Sequence, residues 1–497
     1  MTTQVLQNGK IFLGKSTKSE YLELSFANRH GLIAGATGTG KTVSLQVLAE
    51  GFSQAGVSVF AADIKGDLSG IAADGEVKDI FLKRATQVGL GQDYKPRGYP
   101  TVFWDVFGER GHPIRATVQE MGPLLLSRLL ELNDVQEGVL NICFKISSEE
   151  KLPLLDLSDL RALIQNISDR SKELSKKYGN VTAASVGSIQ RNLLVLEEQG
   201  AKNFFGEPAL DINDFIRLNS EGRGIINLLR ADRLMHSPRL YSTFLLWMLT
   251  KLWQSLPEVG DQPKPKLVFF FDEAHLLFSE APKALLERIE QVARLIRSKG
   301  VGIYFISQNP IDIPNTVSAQ LGNRIQHALR AYTPQEQKAV KTAATTFRKN
   351  PSFDTEKVIT ELQVGEALVS TLENKGEPSI VQRTIIRPPE GRVGPLTEQE
   401  LSQKVQQSLL FGKYENAIDR ESAHEILAKR VEQTQSEASE GKGWADILLG
   451  GGASNGKKRG TQSMGQMIGR ELQRSLSRTI ATSIKNIIIG TIKGKGR

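Results

Sequence analysis

Eight residues near the start of the chain have the types and spacing of a phosphate-binding loop. They follow the pattern G-x-x-x-x-G-K-[ST], as Gly35, Ala36, Thr37, Gly38, Thr39, Gly40, Lys41 and Thr42. The apolar segment 31–34 before them predicts a buried strand. Four apolar residues behind them fall on one helical face, namely Val43, Val47, Leu48 and Phe52. Strand, glycine loop and helix therefore occur in the required order, which favours a phosphate site over a plain glycine turn.

This order gives the residues of the loop separate chemical roles. Glycines let successive backbone N–H groups approach phosphate oxygens, and the dipole of the following helix adds positive potential. We expect Lys41 to reach the β- and γ-phosphates and the Thr42 hydroxyl to hold Mg²⁺. The predicted ligands are therefore ATP, as the nucleoside triphosphate, and Mg²⁺.

A second group of candidate residues follows the apolar segment 267–271, which is predicted to be a buried strand. Asp272 and Glu273 come at its end, and the carboxyl ends of parallel strands are where an α/β sheet binds its ligands. We expect Asp272 to hold Mg²⁺, directly or through water, and Glu273 to orient and activate the attacking water. Either acid alone could merely cap a helix, but the phosphate-binding loop favours the catalytic interpretation.

A polar amide follows the next predicted strand, 301–306. Gln308 stands two residues beyond that strand and is predicted to sense the γ-phosphate and couple hydrolysis to movement. The alternative is that Gln308 only caps the following turn. A carboxylate placed to activate water, as Glu273 is, favours hydrolysis of the nucleotide over mere sensing of it.

Composition narrows the class of protein further. The 497 residues are 39% hydrophobic and 24% charged, as in globular proteins. No apolar run of about 18 residues predicts a membrane span, and no secretory signal is evident. Cys143 is the sole cysteine, which excludes an internal disulfide and is typical of a reducing cytosol. The net charge of +8 permits contact with nucleic acid or an anionic membrane but does not choose between them.

The predicted elements divide the chain into segments of different character. Strands that alternate with helices predict an α/β fold with a mainly parallel sheet flanked by helices, and the loop 35–42 makes it a P-loop NTPase. An all-helical insertion and a helical C-terminal tail complete this prediction. The segments are an N-terminal β leader at 1–28, the ATPase core at 29–108, the helical insertion at 109–205, the second part of the core at 206–390, C-terminal helices at 391–440, a Gly-rich linker at 441–463 and a basic amphipathic helix at 464–497.

The predicted C-terminal helix combines an apolar stripe with a basic face. From Lys457 onward, Glu471 is the single acid among ten Lys and Arg residues. Such a helix could lie on an anionic membrane surface, add electrostatic affinity for DNA, or pack on the ATPase body. Charge alone does not separate these three alternatives.

Three stretches together resemble the HerA–FtsK superfamily of ATPases. They are the loop 35–42, the strand that ends in Asp272 and Glu273, and the run 297–310. The sequence is most similar to the bacterial HerA-like, YjgR-type family, whose pattern occurs here in residues 308–314 and 320–330. The resemblance covers most of residues 10–390, and it implies the RecA-like type of P-loop NTPase.

This resemblance implies a ring-forming, usually hexameric, ATP-driven pump that moves DNA, or sometimes protein, through a central pore. In such rings an arginine of one subunit faces the γ-phosphate held by its neighbour and stabilises charge during phosphoryl transfer. Arg330, at the end of a strand predicted at 324–330, is our first candidate for this arginine finger and Arg324 the second, although either could be an ordinary surface arginine. Asp63 and Asp67, at the end of the strand predicted at 57–63, are weaker site candidates.

Three functions of different class follow from these features. The leading hypothesis is a Mg²⁺-dependent ATP hydrolase that forms a homo-oligomeric ring and acts as a DNA translocase or helicase. The first alternative is a membrane-associated ATPase that powers transport or secretion and docks on an anionic membrane or a partner protein through residues 457–497. The second is a nucleotide-switched scaffold, which Glu273 argues against. The expected location is the cytoplasm, either free or peripheral to the inner membrane.

Overall fold

The computed structural model describes residues 4–234, 237–278 and 283–433. The chain divides into one compact unit of residues 1–430 and a second unit of residues 431–497. The predicted Gly-rich linker at 441–463 and amphipathic helix at 464–497 lie outside the described residues, as does the end of the predicted segment 391–440. The fold described below is therefore that of the first unit.

β-Strands occur from the beginning of this unit to near residue 386. They are β1 (Leu6–Gln7), β2 (Lys10–Lys15), β3 (Ser19–Glu23), β4 (Gly31–Ala34), β5 (Ser58–Asp63), β6 (Thr101–Asp105), β7 (His112–Pro113), β8 (Ile226–Arg230), β9 (Leu267–Phe271), β10 (Val301–Ser307), β11 (Asn323–Gln326), β12 (Glu366–Ser370), β13 (Leu372–Glu373), β14 (Glu377–Pro378) and β15 (Gln382–Ile386). Thirteen of them pair in one sheet, in the order β1-β2-β15-β12-β11-β4-β10-β9-β5-β8-β6-β7, with β3 paired to β2. β13 and β14 form a separate two-stranded sheet.

The centre of the large sheet is parallel, from β11 through to β7. The strands at its middle, such as β4 and β9, are continuous apolar runs, as expected when both faces of a sheet are covered. In β9, Leu267, Phe269 and Phe271 pack in one hydrophobic cluster. Val268 and Phe270 pack in another, on the opposite face. The predicted α/β fold with a mainly parallel sheet is confirmed.

One edge of the same sheet is antiparallel. β12 pairs with β11 and β15, β15 pairs with β2, and β2 pairs with β1 and β3. The first strands of the chain and the strands near residue 385 therefore extend the sheet on the side of β4. This arrangement supports the strand that carries the phosphate-binding loop.

Helices cover the two faces of the sheet and form a separate layer beyond it. They are α1 (Lys41–Gln54), α2 (Asp79–Val88), α3 (Val118–Leu129), α4 (Asp134–Glu150), α5 (Leu157–Asp169), α6 (Ser171–Tyr178), α7 (Ala183–Glu198), α8 (Pro238–Ser255), α9 (His275–Phe278), α10 (Lys283–Leu295), α11 (Asn315–Ser318), α12 (Pro334–Thr345), α13 (Thr355–Glu361) and α14 (Glu398–Gln406). Short 3-10 helices occur at Leu24–Arg29, Asp67–Ala72, Gly91–Asp93, Ala201–Asn203, Ile212–Phe215, Ile296–Lys299 and Pro310–Asp312, and residues 423–433 are helical.

Between β7 and β8 the chain is helical, with α3 to α7 in succession. Local capping defines where these helices begin: Asn133 and Asp156 each accept a backbone N–H in a capping box. The buried sides of these helices join the hydrophobic cluster that covers one face of the sheet. The sheet itself continues past residue 108, because β7 pairs with β6.

Helix α8 is apolar on nearly all sides, and the structure places it in the core. Tyr241, Phe244, Trp247 and Leu252 are buried there in the larger hydrophobic cluster. Across the residues that the structure describes, no helix has both the length and the apolar character needed to cross a membrane.

The strand predicted at 324–330 is shorter than expected, because β11 ends at Gln326. Beyond it, the Leu329 N–H donates to the carbonyl of Ile359 at 3.3 Å. The Leu329 side chain packs in a small cluster with residues of α12 and α13. The chain therefore leaves the sheet at His327, and Arg330 lies in a loop instead of ending a strand.

A fully buried ion pair ties α1 to the antiparallel edge of the sheet. Arg387 is completely inaccessible and donates to Glu50 at 3.1 Å and to the carbonyls of Phe12 at 3.1 Å and Val47 at 2.9 Å. Glu50 also accepts the backbone N–H of Glu390 at 3.0 Å. A charge this deep is tolerated only when it is paired and hydrogen-bonded. The helix that follows the phosphate-binding loop is thus anchored at its far end.

Replacement of Arg387 should destabilise the protein strongly. In Arg387→Met the carboxylate of Glu50 loses its buried cation, and we expect the free energy of unfolding to fall by about 3–5 kcal/mol. Urea unfolding followed by circular dichroism measures the change. Lys357→Met is the control, because its partner Glu361 is solvent-exposed and little change is expected. Similar small changes in both variants would contradict the anchoring role.

Candidate active site

The candidate site lies at one edge of the sheet, where β4, β10 and β9 end. β10 lies between β4 and β9 and runs parallel to both. The loop 35–42 follows β4, Asp272 and Glu273 follow β9, and Gln308 follows β10. Since parallel strands end at the same edge of a sheet, these segments, distant in the sequence, meet there. The structure thus brings together the residues predicted to bind and hydrolyse a nucleotide.

The loop 35–42 has a backbone shape that only glycine adopts easily. Gly35 and Gly40 have φ angles of 155° and 113°, in the region that favours glycine. A Cβ at Gly35 would lie 2.5 Å from the Cβ of His327, so no larger residue fits there. α1 begins at Lys41, which places the positive end of its dipole at the loop. The loop therefore fits the phosphates of a nucleoside triphosphate.

The side chain of Lys41 lies against the loop. Its Nζ donates to the carbonyl oxygens of Gly35 at 2.6 Å and Ala36 at 3.1 Å. Burial lowers the pKa of Lys41. An ammonium that is half-buried among neutral carbonyls gains most from an anionic partner, so phosphate oxygens fit this position.

Acidic side chains line a pocket beside the loop. It is lined by Thr42, Leu45, Ala62, Asp63, Lys65, Asp67, Leu68 and Asp272. Burial raises the pKa of Asp63 to about 7 and that of Asp272 to about 6. Neighbouring desolvated carboxylates are stabilised by a divalent cation, so Mg²⁺ fits beside Thr42 and Asp272.

No cluster of three or more His, Cys, Asp or Glu side chains suited to a metal ion exists in the part of the chain that the structure describes. This agrees with the way Mg²⁺ is usually held beside a nucleotide. It takes one or two protein oxygens and completes its shell with phosphate oxygens and water. Thr42 and Asp272 are sufficient for that role.

Asp63 has a different role from Asp272. Its Oδ1 accepts the backbone N–H of Gly66 at 2.8 Å, and its Oδ2 accepts that of Leu68 at 3.1 Å. Both carboxylate oxygens therefore hold the loop that follows β5. Asp67 is exposed at the rim of the same loop. Asp63 thus shapes the pocket through the backbone.

Glu273 is buried, strained and surrounded by donors. It is 4% exposed, and its φ of 47° is unfavourable for a residue with a side chain. Lys65 lies 2.9 Å from its Oε1, the Gln308 amide donates at 3.1–3.2 Å, and His275 lies 3.4 Å from its Oε2. Burial, the largest single effect, raises the pKa of Glu273, but the contacts with Lys65, Gln308 and His275 together outweigh it, and the net pKa is lowered. Glu273 is therefore ionised at neutral pH.

Gln308 connects the phosphate-binding loop to Glu273. The Thr37 hydroxyl donates to its Oε1 at 3.2 Å, while its Nε2 donates to Glu273. The following turn is capped by Asn309, whose side chain accepts the N–H of Ile311 at 3.3 Å. Gln308 is therefore placed for the predicted sensor role, and its neighbour performs the capping.

Sequence reasoning gave no role to two residues of the site, Lys65 and His327. Lys65 follows Asp63 by two positions, and its spacing within the loop could have indicated a site residue. His327 is buried behind the loop, where its Nε2 lies 2.8 Å from the Ser44 hydroxyl and its Nδ1 lies 2.9 Å from the carbonyl of Glu366. Burial lowers the pKa of His327 to about 4, so it is neutral and acts as packing for the loop.

The two candidate arginine fingers differ in their surroundings. Arg324 is partly buried and donates to the Ser318 carbonyl at 2.8 Å within its own subunit. Arg330 is exposed, and within the described residues it makes no hydrogen bond or ion pair. The carbonyl of Ala328, two residues earlier, accepts the N–H of Ala36 at 2.8 Å. Arg330 is thus near the loop and available to another molecule, whereas Arg324 is engaged.

The sheet, the loop and the paired acids define a P-loop ATPase, and comparison with known proteins names its family. A model described as "Helicase HerA-like C-terminal" matches residues 9–497. The chain therefore belongs to the HerA-like helicase family, and the predicted HerA–FtsK membership is confirmed.

Individual relatives are distant. The chain is similar to the DNA double-strand break repair helicase HerA of Sulfurisphaera tokodaii, with 23% identity over 73% of this chain and 67% of the relative. The HerA of Saccharolobus solfataricus is 22% identical over 73% of this chain and 66% of the relative. The matches thus span about two thirds of these proteins. VirB4 of Thermoanaerobacter pseudethanolicus has a TM-score of 0.50 and 14% identity over 77% of this chain and 98% of its own, which supports the fold.

Removal of the Glu273 charge should separate nucleotide binding from hydrolysis. Glu273→Gln keeps the size of the side chain but cannot take a proton from water, so we expect the ATPase rate to fall by about 10²- to 10⁴-fold. Phosphate release measures turnover, and calorimetric titration with ATP and Mg²⁺ shows that binding persists. Glu258→Gln, at an exposed position, is the control. Normal turnover of Glu273→Gln would remove Glu273 from the mechanism.

Proposed function

We propose that this protein is a Mg²⁺-dependent ATP hydrolase that assembles into a ring, hexameric as the resemblance implies, and translocates double-stranded DNA. The observation that carries the proposal is the hydrogen-bonded connection from Thr37 through Gln308 to Glu273. It links the loop that holds the phosphates to the carboxylate that activates water, as a motor requires. The family, the description of the relatives as DNA repair helicases and the net charge of +8 support DNA as the polymer.

Each residue of the site has one task in this proposal. The amides of the loop 35–42 and Lys41 bind and orient the phosphates. Thr42 and Asp272 would hold Mg²⁺, which neutralises charge on the phosphate oxygens when bound. Glu273 orients the attacking water and accepts its proton. Gln308 holds that carboxylate at a fixed position relative to the loop. Catalysis then rests mainly on positioning and electrostatics.

Contact with DNA in such a motor needs no reading of bases. Translocation along any sequence requires grip on the phosphate backbone, which Lys and Arg side chains provide. Binding of this kind weakens steeply with salt, because each contact releases condensed counterions. Salt dependence is therefore a direct measure of the proposed grip.

Double-stranded DNA should accelerate ATP hydrolysis. We expect a severalfold higher rate at about 50 mM salt, which declines toward the basal rate at about 200 mM as phosphate contacts are lost. Steady-state ATPase assays with double-stranded DNA, single-stranded DNA and heparin distinguish a duplex motor from general polyanion binding. If no DNA binds at low salt and the ATPase rate does not change, the proposal that DNA is the translocated polymer is wrong. The proposal of ATP hydrolysis is not affected by that result.

The ring supplies the part of the site that one subunit lacks. A cation is needed opposite Lys41 to stabilise charge on the transferred phosphoryl group. Arg330 meets the requirement for action on a neighbour, because it is exposed and forms no hydrogen bond or ion pair with the residues that the structure describes. We therefore propose Arg330 as the arginine finger in preference to Arg324.

Mixed subunits test whether Arg330 acts in the neighbouring site. Loss of an arginine finger lowers the rate by about 10³- to 10⁵-fold, so Arg330→Ala should be nearly inactive. Lys41→Ala should also be inactive, because it cannot hold the phosphates. When the two variants are mixed, an Arg330→Ala subunit supplies an intact Lys41 and a neighbouring Lys41→Ala subunit supplies an intact Arg330. The ATPase rate should then rise with the fraction of rings that contain both kinds of subunit.

The control for this mixing is a pair of defects in the same site. Lys41→Ala mixed with Glu273→Gln should stay inactive, since both residues act within one subunit. Native mass spectrometry of each mixture shows that subunits have exchanged. Recovery in the control mixture, or none with exchanged Arg330→Ala subunits, would exclude Arg330 as the finger.

A further inference from the structure

Both carboxylate oxygens of Glu273 are already contacted by other side chains in the arrangement observed. Lys65 and the Gln308 amide occupy Oε1, and Gln308 and His275 lie on Oε2. The side chain is only 5% exposed. A general base must have an oxygen within hydrogen-bond reach of the water it activates. At least one of these partners has to leave before Glu273 can act.

Lys65 is the partner that is free to move. Its side chain is 47% exposed, and among the described residues its one ion pair is with Glu273. The backbone just after it is held, because Asp63 accepts the N–H groups of Gly66, the next residue, and of Leu68. Gln308, in contrast, is held at its other end by Thr37. A change of side-chain rotamer is therefore enough to release Lys65, with no movement of the main chain.

The alternative place for the Lys65 ammonium is on the phosphate side of the site. Lys65 lines the same pocket as Thr42 and Asp272, beside the loop. It is also near enough to Lys41 for the two cations to repel each other. The repulsion between these two ammonium groups is relieved most by an anion of high charge that lies between them. The γ-phosphate of ATP is such an anion, and ADP lacks it.

We propose that Lys65 is a γ-phosphate-responsive positioning residue, which pairs with Glu273 when no triphosphate is bound and transfers to the γ-phosphate when ATP binds. Its departure frees the position on Oε1 of Glu273 that Lys65 held, so that the attacking water can take it while the Gln308 amide stays in place. Glu273 can therefore activate water only when a triphosphate is bound. This inference rests on the proposed role of Glu273 as the water-activating group.

Comparison of triphosphate and diphosphate binding tests the inference. In Lys65→Met the stem is retained and the charge is lost. We expect affinity for adenylyl imidodiphosphate with Mg²⁺ to fall by about 10- to 100-fold, as for loss of a charge-assisted contact. Affinity for ADP with Mg²⁺ should stay within about twofold, because that contact is absent. Lys65→Arg should restore the preference for the triphosphate, and Lys172→Met, at an exposed position of α6, should change neither affinity.

The Glu273→Gln variant supplies the second half of the test. Because the neutral amide no longer competes for Lys65, the triphosphate analogue should bind several-fold more tightly than to the unmodified protein. That gain should vanish in the double variant Lys65→Met/Glu273→Gln, since no lysine remains to be released. A gain that persists in the double variant would mean that only charge repulsion by Glu273 was removed, and the inference would be wrong.

Calorimetric titration without DNA gives all these affinities, and ADP binding confirms that each variant is folded. Equal losses for ADP and the triphosphate analogue, or no loss for either, would show that Lys65 is only a structural ion-pair partner. Failure of the DNA proposal does not affect the result, because no DNA is present. Failure of Glu273 as the catalytic base would appear as normal turnover in Glu273→Gln, whatever the affinities of the Lys65 variants.

Discussion

The parallel packing of β4, β10 and β9 is the constraint on which the site depends. These strands are apolar throughout and buried on both faces, so they can be stable only side by side within the sheet. Their carboxyl ends then coincide, and the residues that follow them have to share one edge. The burial of apolar strands thus assembles a polar site from segments that are far apart in the chain.

Several charged side chains are buried at this edge of the sheet. Asp63 and Asp272 have raised pKa values because burial disfavours their ionised forms, while the pKa of Glu273 is lowered by Lys65 despite burial. The pocket therefore holds more charge than the protein alone stabilises well. Mg²⁺ would balance the charge of the carboxylates, and a triphosphate would balance that of the lysines. The site therefore fits these two ligands together.

Support for the phosphate-binding loop comes from the antiparallel edge of the sheet. His327 packs directly behind Gly35, and the N–H of Gly365 donates to the carbonyl of Thr39 at 3.3 Å. At the other end of α1, Arg387 and Glu50 form a buried pair that joins this helix to the same edge. The loop and its helix are thus held at two points, which gives an exposed side chain such as Lys65 a fixed frame against which to move.

The sequence by itself determined the loop 35–42, the strand that ends in Asp272 and Glu273, the strand before Gln308 and the α/β class. These features can be recognised from the sequence because each depends on residues that are close together in the chain. The period of the apolar residues, the spacing of the glycines and the residue types just beyond a strand are all local patterns. Arg330, predicted to end a strand, lies instead in a loop, because Leu329 is drawn into a cluster with α12 and α13.

Only the tertiary structure decided which side chains meet. Lys65 and Glu273 are separated by more than 200 positions, and their contact follows from the pairing of β5 with β9. The burial of His327 behind the loop likewise depends on strand order. Strand order is set by the packing of the whole sheet, and a single sequence carries no local signal for it.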